Sequence, residues 1–309
     1  MPRPIVIALA ASFLLSTAAY AAPYDDAFAA YQKGDYATAL KLMRPLAENG
    51  NTNAQYNMGA MYMNSLGVQQ DHKEAAKWFQ MAVAKGNVFA EVDLGTLYQS
   101  GLGVEKNYGE AMRLFKLAAA QKSATAEANI GTMYDRGLGV DQDYKEAAKW
   151  YRLSAEHGNP ESQHNLGLMY ANGRGLPQDY KQAAAWYRKA ADQGLDSAQL
   201  NLGAMYYAGQ GVPKNAAEAI KYFRMAAKQR NGHAQFNLAT MYTNGEGGPQ
   251  DLPRALVWFS AAAGILTGEE AKAADDNTKA VAMAMTREQL LQAQQMARDC
   301  RTGNYQKCE

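Results

Sequence analysis

Cysteine and histidine are scarce in this chain of 309 residues, with two of the former and four of the latter. Two cysteines exclude a small fold stapled by many disulfides. His72, His157, His164 and His233 show no metal-ligand spacing among themselves or with the cysteines, so no metal and no other cofactor is expected. Charge of one sign is also lacking: 31 Lys and Arg stand against 30 Asp and Glu, without a long run of either. This balance leaves neither the basic footprint of nucleic-acid binding nor a polybasic membrane patch. Beyond the N-terminus no apolar run approaches the roughly 20 residues of a transmembrane helix.

The N-terminus itself reads as a targeting segment. Arg3 supplies a positive start, Ile5 to Leu15 form an apolar run, and Ala19-Tyr20-Ala21 fits a small-x-small cleavage site before Ala22. Residues 1–21 are therefore expected to be a signal peptide and the protein to be periplasmic or secreted. Cleavage removes Arg3 and no acid, leaving 30 residues of each sign.

What is present is repetition. Asn201-Leu202-Gly203-Ala204-Met205-Tyr206 has near-copies starting at Asn57, Asp93, Asn129, Asn165 and Asn237, each 36 residues after the last. A fixed period of this length marks a solenoid, in which units bury their apolar faces by stacking. The expected organisation is an atypical N-terminal helix pair at 22–50, broken at Gly34-Asp35, six 36-residue units over 51–266, and a C-terminal helical cap at 267–309.

Each full unit reads as two antiparallel helices. The loop after the first carries Gly-x-Gly in five copies, Gly101 and Gly103 among them, as helix ends that turn through left-handed residues require. A phosphate-binding loop is excluded, because no Lys-Ser/Thr follows and no strand precedes. Asp71, Asn107, Asp143, Asp179, Asn215 and Asp251 announce the second helix as N-caps. Glu74, Glu110, Glu146, Gln182 and Glu218, three residues later, complete a capping-box pattern, which assigns these carboxylates to caps and not to acid–base catalysis. Within the second helix small residues alternate with rings, as in Ala75-Ala76..Trp78-Phe79 and Ala183-Ala184..Trp186-Tyr187, a packing face and not a ligand cage. Gly59, Gly95, Gly131, Gly167 and Gly203 sit inside the first helices, where glycine costs about 1 kcal/mol against alanine; five such glycines imply a close approach that a larger residue would block.

After Gly264 the period breaks. Glu269 to Met285 is helical in character, and Thr286 with Gln289 forms a capping box opening a helix to about Asp299. Cys300 and Cys308 follow; in an oxidising compartment they are expected to form a disulfide that steadies the tail.

The pattern Ala-x-x-x-Leu-Gly-x-x-Tyr, Gly-x-Gly, Asp, Ala-Ala-x-Trp-Tyr, Ala-Ala and Gly, which runs here from Ser162 to Gly194 with Ser162 in the first alanine's place, resembles the Sel1-like repeat (SLR), a relative of the tetratricopeptide repeat. The resemblance covers roughly residues 24–300. It implies an all-α, right-handed solenoid of stacked antiparallel helix pairs, with a concave groove that holds proteins or peptides. Bacterial members that resemble this chain are exported adaptors and regulators, among them periplasmic partners of sensor kinases and of polysaccharide-secretion machinery. A cysteine-rich branch is associated with penicillin binding and β-lactam hydrolysis, but it carries cysteine pairs within its repeats, and the full repeats here have none.

Repetition also separates scaffold from site. In the first helix, positions equivalent to 54, 58, 59, 61 and 62 barely change, whereas those equivalent to 53, 56, 60 and 63 vary and fall on the opposite side at about 100° per residue. The variable set contains no Lys or Arg, and only Asp135 and Glu161 are acidic. Its large members, Tyr56, Met63, Phe89, Val92, His164, Leu168, Leu200, Tyr207, His233 and Phe236, form a candidate protein-binding groove. Burial of these positions by superhelical curvature is the other reading, and the two can coexist. The expected function is an exported, non-enzymatic scaffold or regulatory adaptor for a protein or peptide partner of the cell envelope. An envelope hydrolase of the β-lactamase-like branch and a secreted host-directed effector are the alternatives. Catalysis has little support, since no nucleophile is placed beside His164 and Glu161 by a recognised motif.

Overall fold

The computed structural model describes residues 14–303, 305, 306 and 308, with side chains from Pro23 onward except Arg301. Arg3 and most of the apolar run of the expected signal peptide lie outside the described residues. The described residues form helices and no strand. They divide into two compact units, one reaching Ile130 and adding Leu138–Asp141, the other comprising Gly131–Gly137 and Gln142–Glu309.

The first unit opens with α1 (Leu14–Gln32) and α2 (Tyr36–Glu48), joined through Gly34 at φ +77° and capped by Asp35, whose carboxylate accepts from the Thr38 N–H. The pairs α3 (Thr52–Met63) with α4 (His72–Val83) and α5 (Val88–Ser100) with α6 (Tyr108–Ala120) follow. The division between the units falls inside α7 (Ala124–Arg136). The second unit continues with α8 (Tyr144–Glu156), then the pairs α9 (Pro160–Asn172) with α10 (Tyr180–Asp192), α11 (Asp196–Ala208) with α12 (Ala216–Lys228), and α13 (Gly232–Asn244) with α14 (Leu252–Ala263). α15 (Gly268–Met283) and α16 (Arg287–Thr302) both pack on α14. Within each unit every second helix also packs on the first helix of the next pair, as α4 does on α5 and α10 on α11. This is an α-solenoid.

Local chemistry sets the ends. The six N-cap residues of the second helices all accept N–H groups of the first turn, as Asp179 does from Lys181 and Gln182 at 2.9 and 3.0 Å. The expected reciprocal capping box does not form in these helices. The N–H of Asp71 donates to the Tyr62 carbonyl at 3.1 Å, and those of Asp143, Asp179 and Asn215 donate to Tyr134, Tyr170 and Tyr206. Those carbonyls are orphan acceptors in the last turn of the preceding helix, so the bond satisfies two groups and ties the helices of a pair together. The third-position glutamates then turn to neighbouring cations, Glu74 to Lys77 at 2.8 Å and Glu110 to Arg113 at 2.6 Å. At α16 the box does close: the Thr286 N–H donates to Gln289 Oε1 at 2.9 Å and the Gln289 N–H to Thr286 Oγ1 at 3.2 Å. First helices are capped as well, by Asn51, Asn87, Asn159 and Asn231, an asparagine series at the repeat period.

Both glycine series have a packing cause. A Cβ on Gly59 would stand 2.5 Å from the Phe79 ring, and one on Gly203 2.7 Å from Phe223, so each in-helix glycine admits an aromatic ring of its own pair's second helix. In the loops Gly101 ends α5 at φ +76°, while Gly103 lies against the His72 backbone of the previous pair, where a Cβ would sit 2.2 Å from the carbonyl carbon. The in-helix glycines therefore set the spacing within a pair, and Gly103 sets the spacing between pairs.

Cys300 and Cys308 are bonded and buried. The disulfide does more than close its own loop: both sulfurs join the core of the last repeat, with Val257 and Trp258, and Gln306 Nε2 donates to the Lys228 carbonyl at 3.2 Å.

Candidate binding site: niches between successive repeats

In the second unit, the rings that sit over Gly131 and Gly203 are also each the floor of a notch between that repeat and the next. Its near wall is the position equivalent to 63, and its far wall is built from positions equivalent to 57, 60 and 61 of the following first helix. Two such notches in the second unit enclose free space. One, of about 110 Å³, has Tyr151 as floor and is walled by Asp135, Asn165, Leu168, Met169, Asn172 and Arg174. Arg174 pairs with Asp135 at 3.3 Å and stacks on the Tyr144 ring at 4.0 Å; the Tyr151 and Thr132 hydroxyls are 3.1 Å apart. The other, of about 130 Å³, has Phe223 as floor and is walled by Ala204, Tyr207, Asn237, Thr240 and Met241. Its lining is mostly apolar, with Asn237 and Thr240 as polar walls, and the Tyr207 hydroxyl donates to Glu246 at 3.4 Å.

At the notch between these two, the floor ring Tyr187 meets a polar cluster. His164 packs on Tyr187 with ring centroids 5.5 Å apart, and Asn201 Nδ2 lies 2.9 Å from His164 Nε2. Burial holds the His164 imidazole below its usual range, against a smaller upward pull from Asp196. A neutral ring receives the asparagine N–H at Nε2, which leaves its proton on Nδ1. Burial likewise pushes the Tyr187 phenol up, with its hydrogen bond to Asn201 opposing.

In the first unit the equivalent surface is more aromatic. Tyr56 lies between Phe79 and Phe89, at centroid distances of 5.8 and 5.6 Å. Its hydroxyl is hydrogen-bonded to Asp93, which stands where the other repeats carry asparagine; burial pushes both groups up, and the Asp93 charge pushes Tyr56 further.

The sequence-derived groove residues therefore divide. Phe89, 63% exposed, Tyr207, 39% exposed, and His233 are open to solvent. Tyr56, Met63, His164, Leu168, Leu200 and Phe236 are half-buried against core clusters or rings of the second helices. Val92 is only 9% exposed and serves as core. Buried and exposed side chains thus coexist on this face. Sequence reasoning did not find Arg174, which sits between the two loop glycines, or the floor rings, whose helical spacing read only as core. It also did not single out an outer row of exposed apolar side chains at the repeat period, Met81 and Leu117 in the first unit, Leu153 and Met225 in the second. No group of three or more potential metal ligands occurs among the described residues.

The Sel1 repeat profile matches residues 28–51, 52–87, 88–123, 124–159, 160–195, 196–231 and 232–263, taking in the N-terminal pair as well as the six full units. Among solved structures, a Sel1 repeat protein from Oxalobacter formigenes is 31% identical over 78% of this chain and 96% of its own, with a TM-score of 0.68. The chain is also similar to c5321, a protective antigen of uropathogenic Escherichia coli strains with an SLR fold, at 26% identity over 93% and 76% of the two chains and a TM-score of 0.40. Immunity protein Pa5087 from Pseudomonas aeruginosa is 20% identical over 74% and 81%, with a TM-score of 0.45. No curated protein matches. Seven matched repeats and the Oxalobacter likeness show that the chain belongs to the Sel1 repeat family, whose members are generally non-enzymatic scaffolds that bind protein partners.

Proposed function

We propose that this protein is an exported interaction scaffold that holds a protein or peptide of the cell envelope along the variable face of its first helices. The observation that carries this reading is a constant frame with changing contents. The same notch, built from the same repeat positions and sharing an asparagine at 165 and 237, holds the Asp135–Arg174 ion pair over the Tyr151 phenol in one repeat and Ala204 and Tyr207 over the Phe223 ring in another. Packing alone would favour the same lining in every repeat, whereas recognition of a partner's successive side chains calls for different ones. Exposed Phe89 and Tyr207 supply the aromatic anchors that dominate such contacts. Export is supported by the apolar N-terminal run and by the disulfide, which persists in oxidising compartments.

Photocrosslinking in intact cells tests the face. A crosslinking amino acid at Tyr207 is expected to capture an adduct that Ala204→Asp, at an exposed wall of the same notch, removes without loss of helical circular dichroism. The same adduct captured from Leu153, on the outer row, would reject the inner face. Fractionation of the same cells tests export, which a cytoplasmic protein retaining residues 1–21 would refute.

A further inference from the structure

A third cavity, of about 290 Å³, lies between α12 and the loop and second helix of the last repeat. Three departures from the repeat pattern create it. The residue after the loop's second glycine is Val68, Val104, Val140, Leu176 or Val212 in five repeats, and Leu176 and Val212 pack against core clusters. In the last repeat it is Gly248, where an added Cβ would meet nothing within 4 Å. The residue behind the N-cap, Tyr in three of the repeats, is Ala216 in the pair that faces this loop. The third-position acid or amide, Glu or Gln in five repeats, is Arg254.

The cavity that results carries two guanidinium groups over an apolar floor at Ile220. Arg224 Nη2 donates to the Tyr242 hydroxyl at 2.8 Å, which leaves the phenol proton to be given to a ligand. Arg254 pairs with Asp251 through Nη1, while its Nε is buried and has no acceptor. Nε and Nη2 form the side-on edge of a guanidinium, whose two parallel N–H groups match the two oxygens of a carboxylate. The Arg254 side chain lines the cavity and is 38% exposed, while Nε is its buried end, so a ligand takes both N–H groups by turning this edge of the guanidinium into the cavity. Glu246 and Asp251 also line the cavity and oppose a multiply charged anion such as phosphate.

We propose that this cavity binds a singly charged carboxylate on the Nε edge of Arg254, presented by a small organic acid or by the C-terminus of a peptide. Calorimetry on the full chain, in a buffer free of carboxylates, tests it with three pairs of probes: propionate and propionamide, trialanine and its C-terminal amide, and an N-acetylated peptide with and without amidation. The acid of at least one pair is expected to bind about tenfold or more tighter than its amide, the difference that charge-assisted bonding makes. Propionate binding alone would assign a free acid, and peptide binding alone a chain end. Gly248→Val, which restores the residue most repeats carry, is expected to abolish binding while leaving helicity and melting unchanged. Arg254→Gln, which copies Gln182, is expected to do the same. Absence of binding by every acid, equal binding of acids and amides, or binding retained in folded Gly248→Val would overturn the proposal.

Discussion

Glu91 stands where four other repeats place glutamine. Gln55, Gln163, Gln199 and Gln235 are buried, and each donates through Nε2 to a carbonyl of the preceding second helix, at 3.0 to 3.1 Å. Gln199 also accepts from Gln229 on its other side, as Glu91 accepts from Gln121. An ionised Glu91 keeps the second bond but has no proton for the first, although it is only 3% exposed. Burial pushes its carboxyl up, with the Gln121 hydrogen bond and the Arg113 charge opposing. A folded pKa above the unfolded one means that the native state holds the proton more tightly. Its contribution is therefore most favourable below the ordinary carboxylate range and is lost as pH rises through the raised value. Glu91→Gln is accordingly expected to stabilise the protein by about 1–2 kcal/mol at neutral pH, and by progressively less as the pH falls to about 4. Urea unfolding at the two pH values checks this; a gain that did not change with pH would rule out protonation as its cause.

At the scale of the element, the pairing of helices depends on rings fitted over glycines. A methyl group on Gly203 would stand 2.7 Å from Phe223 Cδ1, and Phe223 is itself buried. Gly203→Ala gains about 1 kcal/mol of helix propensity but has to displace a ring in a packed core, which costs about 1–3 kcal/mol. The expected outcome is net loss of stability in chemical denaturation, with partial rescue by Phe223→Leu. A stabilised Gly203→Ala would show that the ring moves freely. The need for a close approach was legible in the sequence, because glycines recurring inside a helical pattern are unfavourable unless something fills the space. What fills it was not, because periodicity assigns a side chain to a face and says nothing of the depth at which a neighbour meets it. The caps show the same division. Asp179 as an N-cap follows from local sequence, whereas the failure of its capping box depends on the Tyr170 carbonyl of another helix taking the Asp179 N–H. The notches were hidden for this reason too: Arg174 meets Asp135 only once two repeats are stacked.

For the molecule as a whole, a solenoid's stability is a sum over repeats and their nearest-neighbour interfaces, so a change at one end acts mainly there. The disulfide between Cys300 and Cys308 tests this additivity. Closing a loop with a sequence separation of 8 corresponds to about 2.5 kcal/mol in the chain-entropy estimate. Both sulfurs lie in the core with Val257 and Trp258, and the enclosed segment reaches the second helix of the preceding repeat through Gln306 and through Tyr305, which packs under Arg230. The bond therefore fastens the cap to the last two repeats. The double variant Cys300→Ser/Cys308→Ser is expected to lose hydrogen-exchange protection in α16, at the end of α14 and at the C-terminal turn of α12. Protection in α3 to α6 should stay unchanged, because nearest-neighbour coupling fades over the intervening repeats. A uniform loss along the chain would mean that the array unfolds as one cooperative block, and loss confined to residues after Thr302 would mean that the tail does not hold the cap in place.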